Sequence, residues 1–287
     1  MKIAAGIYHG LSATLRVLPQ PAVEGAVRAG GSAWFHLSRG QHQAALQNYA
    51  AVLQLPPEHP DVRRTATRAF QNYGRMLVDF TKIDRMTKDD VREQFTYAGT
   101  EHIDRGLERG RGVILALPHM GSWDMAGAAA GLIGYDIEAV AEEFPGSLNE
   151  AVVRGREYFG LKVIPLGRSA IPKLIELLRR NGVAALLTDI SRGRGVEVSM
   201  FDHRVELAAG PASLSVRTGA ALVPVGVWST GPSRYHGHVE PELVPVSTGD
   251  RKADIRELTQ RLALVFERMI RAHPDQWYAF KPILRPA

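Results

Sequence analysis

Cysteine is absent from all 287 residues. Its absence removes a disulfide scaffold, a cysteine-ligated zinc site and any covalent intermediate on a thiol. Long apolar runs are missing too. None approaches the ~18–20 residues that a bilayer-spanning helix requires. The amino-terminal stretch is broken by His9, Ser12, Thr14 and Arg16, so it does not read as a signal peptide. The expectation is a protein on the cytosolic side, free or lying on the inner membrane surface. No Walker A sequence occurs, and the G-x-G at Gly193 and Gly195 lacks the third glycine of a dinucleotide fingerprint. No Gly-x-Ser-x-Gly elbow is present. No basic face interleaved with aromatics points to nucleic acid. The 35 Lys and Arg exceed the 30 Asp and Glu only slightly, which favours anionic partners without choosing among them.

What is present is a change of rhythm near residue 95. Before it, apolar residues recur at helical spacing. Ile7, Leu11, Leu15 and Leu18 form a first stripe, ended by Pro19 and Pro21, that packs on a core or lies in a membrane interface with Lys2 and Arg16 toward the head groups. Val23, Val27, Trp34 and Leu37 form a second. Val62, Ala66, Ala69, Phe70, Tyr73, Leu77 and Phe80 form a third, with Asp61 as its expected N-cap. After it, short buried strands (Gly112–Pro118, Ile137–Ala141, Leu161–Leu166, Val183–Thr188) alternate with helices (Ser122–Leu132, Leu148–Phe159, Ile171–Arg180). That alternation predicts an α/β fold with a mostly parallel central sheet flanked by helices. Val196–Phe201, Ala221–Trp228 and Tyr235–Val244 add strands, the last two as an antiparallel pair, and Arg256–Ala272 closes the chain as a helix. Residues 1–94 read as a helical section, membrane-proximal and docked on a core of residues 95–287.

The chemistry concentrates where the strand Gly112–Pro118 runs into His-Met-Gly-Ser-Trp-Asp. The carboxyl end of a strand is where α/β sheets bind ligands. His119 leaves the strand there, Gly121 permits a sharp turn, and Asp124 falls in the first turn of the next helix. An imidazole of ordinary pKa, ~6.5, can take a proton from a hydroxyl as it attacks. A carboxylate on its other nitrogen fixes the tautomer and stabilises the imidazolium. The spacing predicts that Asp124 turns back to His119 in this role. Backbone amides around Gly121 and Ser122 are candidate donors to a developing oxyanion. A long apolar groove should open beside the imidazole.

ALPHMGSWDMAG resembles the catalytic segment of the lysophospholipid acyltransferase superfamily. More narrowly, it resembles the lipid A biosynthesis acyltransferase branch and its phosphatidylinositol mannoside members. Three further stretches match in order: Arg156–Leu166, Ala209–Val225 and His273–Phe280, the last resembling a His-Pro-x-x-Trp signature. The resemblance implies transfer of a long acyl chain from acyl-CoA or acyl-carrier protein to a hydroxyl of a glycolipid or phospholipid. It implies His119 as the base, no acyl-enzyme, no metal, no bound cofactor, and peripheral attachment to an anionic membrane on the cytoplasmic face.

Other positions carry weaker signals. Asp189 ends the strand Val183–Thr188, so it should reach the same sheet edge as His119, either lining the site or capping the following turn. The mannoside enzymes usually carry Glu near that point, followed by Arg and Asp, whereas this chain reads Thr-Asp-Ile-Ser-Arg. The departure questions the mannoside acceptor and keeps open a natural-product sugar or alcohol. Arg156 either pairs with a substrate phosphate or stands as a solvated helix arginine. Arg192 and Arg194, with Arg204 and flanking glycines, form an anion contact or an exposed hairpin. Trp277, Tyr278 and Phe280 read as packing, Trp123 as packing beneath the dyad or flanking the groove. His236 and His238 read as surface residues rather than metal ligands. A glycerol-phosphate-type acyltransferase also shares H-x4-D, but the matches at Arg156–Leu166 and His273–Phe280 argue against it. From a different class, the chain is a lipid-binding scaffold that keeps the fold without turnover.

Overall fold

The structure is a computed structural model that describes residues 18–142, 147–191 and 195–285. Of the first expected stripe, Ile7, Leu11 and Leu15 lie outside these residues, and Leu18 sits exposed in a bend before the first described helix. Three long helices lead: α1 (Gln20–Leu37), α2 (Arg39–Leu53) and α3 (Pro60–Phe80). The stripes of α1 and α3 emerge in part: Val23, Val27, Val62, Ala66, Ala69 and Phe70 are buried, whereas Leu37 and Leu77, expected on the same apolar sides, are exposed. The N-cap of α3 is His59, whose ring accepts from the Asp61 amide, and Asp61 sits in the first turn. Pro60 explains the shift. With no N–H to lose, it is suited to the first helical position, which places the cap at His59, two residues upstream of Asp61.

The short helix α4 (Lys88–Gln94) leads into β1 (Phe95–Ala98), and α5 (Glu101–Glu108) follows. Next come β2 (Val113–Leu117), α6 (Trp123–Ile133), β3 (Ile137–Ala141), α7 (Ser147–Glu157), β4 (Lys162–Pro165), α8 (Ala170–Arg179) and β5 (Val183–Leu187). These match the expected alternation to within a residue or two. A hairpin, β6 (Val196–Met200) and β7 (His203–Leu207), precedes α9 (Gly210–Thr218). The chain ends with β8 (Ala221–Gly231), β9 (Arg234–Val239), α10 (Arg251–Ala272) and the short strand β10 (Leu284–Arg285).

The main sheet has seven strands in the order β1-β9-β8-β2-β5-β3-β4. The expected pairing of β8 with β9 is antiparallel, and the other pairs are parallel. A second, three-stranded sheet runs β10-β7-β6. The two faces of the main sheet bury separate apolar clusters. Leu115, Leu117, Val223 and Val227 meet α5, α6 and α7 through Ile103, Met125 and Val152. Ile114, Ala116, Ala184 and Leu222 meet α8, α9 and α10 through Leu177, Leu214 and Phe266. Tyr49 and Phe70 of the leading helices belong to this second cluster, alongside Trp277 and Phe280. Val23 and Val27 of α1 form a small separate cluster with Val78 of α3. Among the described residues, no helix is long and apolar enough to cross a membrane.

Candidate active site

Strands β2 and β5 are parallel neighbours, with Leu117 in register with Leu187. His119 and Asp189 each lie two residues beyond that pair, so both leave the sheet at the same edge. His119 Nδ1 meets Asp189 Oδ1 at 2.5 Å. The carboxylate is 1% exposed and the imidazole side chain 25% exposed. Burial pushes the Asp189 carboxyl up, but the charge of His119 and hydrogen bonds from His119 and the Trp277 indole outweigh it, so it lies below the ordinary carboxylate value. An ionised carboxylate only accepts, so Nδ1–H donates, and in the neutral ring the lone pair is then on Nε2. That is the tautomer a general base needs.

The carboxylate that steadies the imidazole is therefore not the one expected from spacing. Asp124 occupies the first turn of α6, where its Oδ1 accepts from Arg156 Nε at 2.8 Å. Both side chains are largely buried, at 6% and 14% exposed. The Arg156 guanidinium also sits 5.8 Å from the centre of the Phe80 ring. The H-x4-D spacing brings Asp124 to the site, but α7 supplies it with a partner of opposite charge. Arg156 is thus a buried ion-pair residue rather than a solvated one.

The turn that carries His119 is clamped by the chain's C-terminal segment. Met120 and Trp277 form an isolated antiparallel bridge. The Tyr278 amide donates to the His119 carbonyl at 2.8 Å, and the Gly121 amide donates to the Gln276 carbonyl at 3.0 Å. The Gly121 amide is thereby engaged, which removes it from the oxyanion donors anticipated from sequence. Gly121 has φ +60°, and an added Cβ would stand 2.3 Å from the Val227 carbonyl oxygen. Only glycine fits there. The Ser122 side chain caps α6 by accepting from the Met125 amide at 3.4 Å and is fully buried. Trp123 stands edge-on to the imidazole, ring centroids 5.7 Å apart. Trp277 is packed in the core as expected, but its indole also reaches Asp189, a contact that sequence reading missed.

A cavity of about 780 Å³ opens at this edge, and His119, Trp123, Asp124 and Arg156 line it. Its walls are otherwise mostly apolar. On one face of the sheet they are Leu115, Leu117, Val225 and Val227, roofed by Ala126, Ala130 and Ile133 of α6. Leu174, Leu186 and Leu214 of the opposite face also contribute, so the cavity wraps the strand ends. The apolar groove expected beside the imidazole is thus present.

Arg192 and Arg194 lie outside the described residues. Arg204, grouped with them by sequence, is exposed on β7 and pairs with Glu197 at 3.4 Å. His236 and His238 flank the Trp228 ring on β9. Among the described residues, no cluster of three or more His, Cys, Asp or Glu is arranged to hold a metal ion.

Comparison with known proteins follows the same lines. The pattern of the bacterial lipid A biosynthesis acyltransferase family matches residues 2–285. The phosphatidylinositol mannoside acyltransferase of Mycobacterium tuberculosis is 34% identical over 276 residues, covering 93% of this chain and 84% of that protein. Its namesake from Mycolicibacterium smegmatis is 34% identical over 275 residues, covering 93% and 87%. A solved structure, the 1-acyl-sn-glycerophosphate acyltransferase PlsC of Thermotoga maritima, aligns with a TM-score of 0.41 and 14% identity, covering 86% of this chain and 98% of that one. With the family pattern running nearly end to end and named acyltransferases matching most of its length, the chain belongs to the bacterial lipid A biosynthesis acyltransferase family and is an O-acyltransferase.

Proposed function

We propose that the protein transfers a long acyl chain from a thioester, acyl-CoA or acyl-carrier protein, to a hydroxyl of a glycolipid of the phosphatidylinositol mannoside type. The observation that carries the reading is the Nδ1–carboxylate contact of His119 and Asp189 at the wall of a large apolar cavity. His119 Nε2 takes the proton of the acceptor hydroxyl as its oxygen attacks the thioester carbonyl. The buried Asp189 charge offsets the imidazolium that forms. Collapse of the tetrahedral intermediate breaks the C–S bond, and the imidazolium returns the proton to the departing thiolate. Such base assistance contributes roughly 10²–10⁴ in rate, with positioning supplying the remainder. No residue of the protein is acylated, and no metal or bound cofactor takes part.

In this mechanism the acyl chain lies in the apolar cavity under α6. Asp124 acts by holding Arg156 at the cavity wall, where the guanidinium meets a polar or anionic part of donor or acceptor. Gly121 shapes the turn and Ser122 fixes the start of α6. Arg192 and Arg194 would add positive charge toward a phosphate. The lipid acceptor brings the protein to the cytoplasmic face of the membrane as a peripheral enzyme.

The natural-product reading drew its support from Asp standing where the mannoside enzymes usually carry Glu. With the Asp189 carboxylate on the imidazole, that departure concerns the base rather than the acceptor. The mannoside relatives at 34% identity favour the glycolipid. The deciding experiment is mass spectrometry of products after incubation with palmitoyl-CoA, or the acyl-carrier-protein thioester, and a panel of glycolipids and simple sugars. Mass gain on a phosphatidylinositol mannoside supports the proposal. Gain only on soluble sugars or alcohols moves the acceptor, and gain on none overturns the reading.

A further inference from the structure

Asp189 Oδ1 is engaged by His119, and its second oxygen is engaged as well. The Trp277 indole Nε1–H donates to Oδ2 at 2.8 Å. Trp277 is 0% exposed and is not among the residues lining the cavity, so it touches the carboxylate but not the substrate. Its ring is itself held firmly. Phe201 lies 5.5 Å from it and Tyr49 meets it edge-on at 6.2 Å, centroid to centroid. The Tyr49 hydroxyl donates to the Trp277 carbonyl. The backbone on either side is tied to the His119 turn through the Met120 bridge and the Tyr278 amide. One rigid segment thus grips both members of the dyad, His119 by its main chain and Asp189 by its side chain.

We propose that Trp277 is a positioning residue of the acyl transfer, its indole N–H locking the Asp189 carboxylate in the orientation that keeps Nδ1–H of His119 directed and Nε2 free for the acceptor proton. This rests on His119 acting as base. The hydrogen bond also draws charge from the carboxylate, so without it Asp189 is more basic and the dyad holds its proton to higher pH. A group whose only contribution is to fill the core makes no such prediction.

The test replaces Trp277 with benzothienylalanine, which keeps the bicyclic shape and substitutes sulfur for the N–H, alongside Trp277→Phe. Protonation of the imidazole is followed by NMR on protein labelled with nitrogen-15 histidine, the His119 signal being identified by its loss in His119→Gln. The expected result for benzothienylalanine is a titration moved to higher pH in a folded protein. Where transfer is assayed, kcat should fall by about 10–100-fold with KM for the thioester within about twofold of the parent. A titration unchanged or moved lower in the benzothienylalanine protein overturns the proposal, whatever Trp277→Phe does to folding. A parent protein that transfers no acyl group, but whose titration still shifts, sinks the acyltransfer mechanism and leaves the Trp277–Asp189–His119 linkage standing.

Discussion

Replacing Asp189 with Asn, set beside the same change at Asp124, separates the roles of the carboxylate on the imidazole and the one paired with Arg156. The Trp277 indole demands an acceptor on the side it now occupies, at 2.8 Å from Oδ2. The Asn amide oxygen takes that place and its NH₂ faces His119 Nδ1. Nδ1 must then accept, the ring proton moves to Nε2, and the lone pair that receives the acceptor proton is gone. The loss should approach the whole general-base contribution, about 10³–10⁴ in kcat, comparable with the same change in a serine-protease triad. KM should move little, because Asp189 does not line the cavity. Stability supplies a second readout. The folded Asp189 carboxyl lies below its ordinary value, through His119 and Trp277 and against the cost of burial. Its stabilisation is therefore fully present above the unfolded value of ~3.9 and is lost as pH falls through the lower folded value. Below about pH 4 the stability gap between parent and Asp189→Asn should narrow. Steady-state transfer from radiolabelled palmitoyl-CoA and urea unfolding at several pH values measure both quantities. Asp124→Asn is the control. It leaves Arg156 short of its charge partner, costing about 1–3 kcal/mol of stability and acting mainly on KM. A variant at Asp189 that keeps more than a tenth of parental kcat, or a larger kcat loss at Asp124 than at Asp189, refutes the assignment of the dyad.

Four other outcomes follow from the same geometry. Gly121→Ala forces a Cβ to 2.3 Å from the Val227 carbonyl at φ +60°, so it should lower stability by about 1–3 kcal/mol and reduce transfer, read by thermal unfolding and turnover. Ala130→Phe fills the cavity under α6 and should shift preference toward shorter thioesters in a competition assay, whereas an unchanged chain-length profile would place the acyl chain elsewhere. The Thr188 hydroxyl is buried at the cavity wall with no hydrogen-bond partner among the described residues, so Thr188→Val should hold or raise stability by up to about 1 kcal/mol in urea. Asp79 is pushed up by burial, against hydrogen bonds from Tyr235 and Ser233 and nearby Lys82 and Arg75. A raised carboxyl favours the fold below its unfolded value and loses that contribution as pH rises through the folded one, so Asp79→Asn should be the more stable protein near neutral pH, with the difference vanishing in acid.

By itself the sequence determined the local elements and the place of the chemistry. The buried runs of β2 to β5 and the stripes of α1 and α3 were legible because apolar periodicity is a property of neighbours along the chain. Less was legible where that signal fails. The helix α2, largely polar and alanine-rich, has no clear stripe, and β1 is only four residues long. The H-x4-D segment at a strand end located the site, and the strand-end position of Asp189 put it at the same edge. Tertiary structure alone decided which acid meets the imidazole. Spacing left Asp124 and Asp189 both within reach of the site. The choice fell to a parallel register of β2 on β5, to Arg156 arriving on α7, and to Trp277 arriving from more than eighty residues downstream. Each is a contact between segments distant in sequence, fixed by how the sheet and helices pack, and no local pattern encodes which of two carboxylates will be claimed by a neighbour's charge.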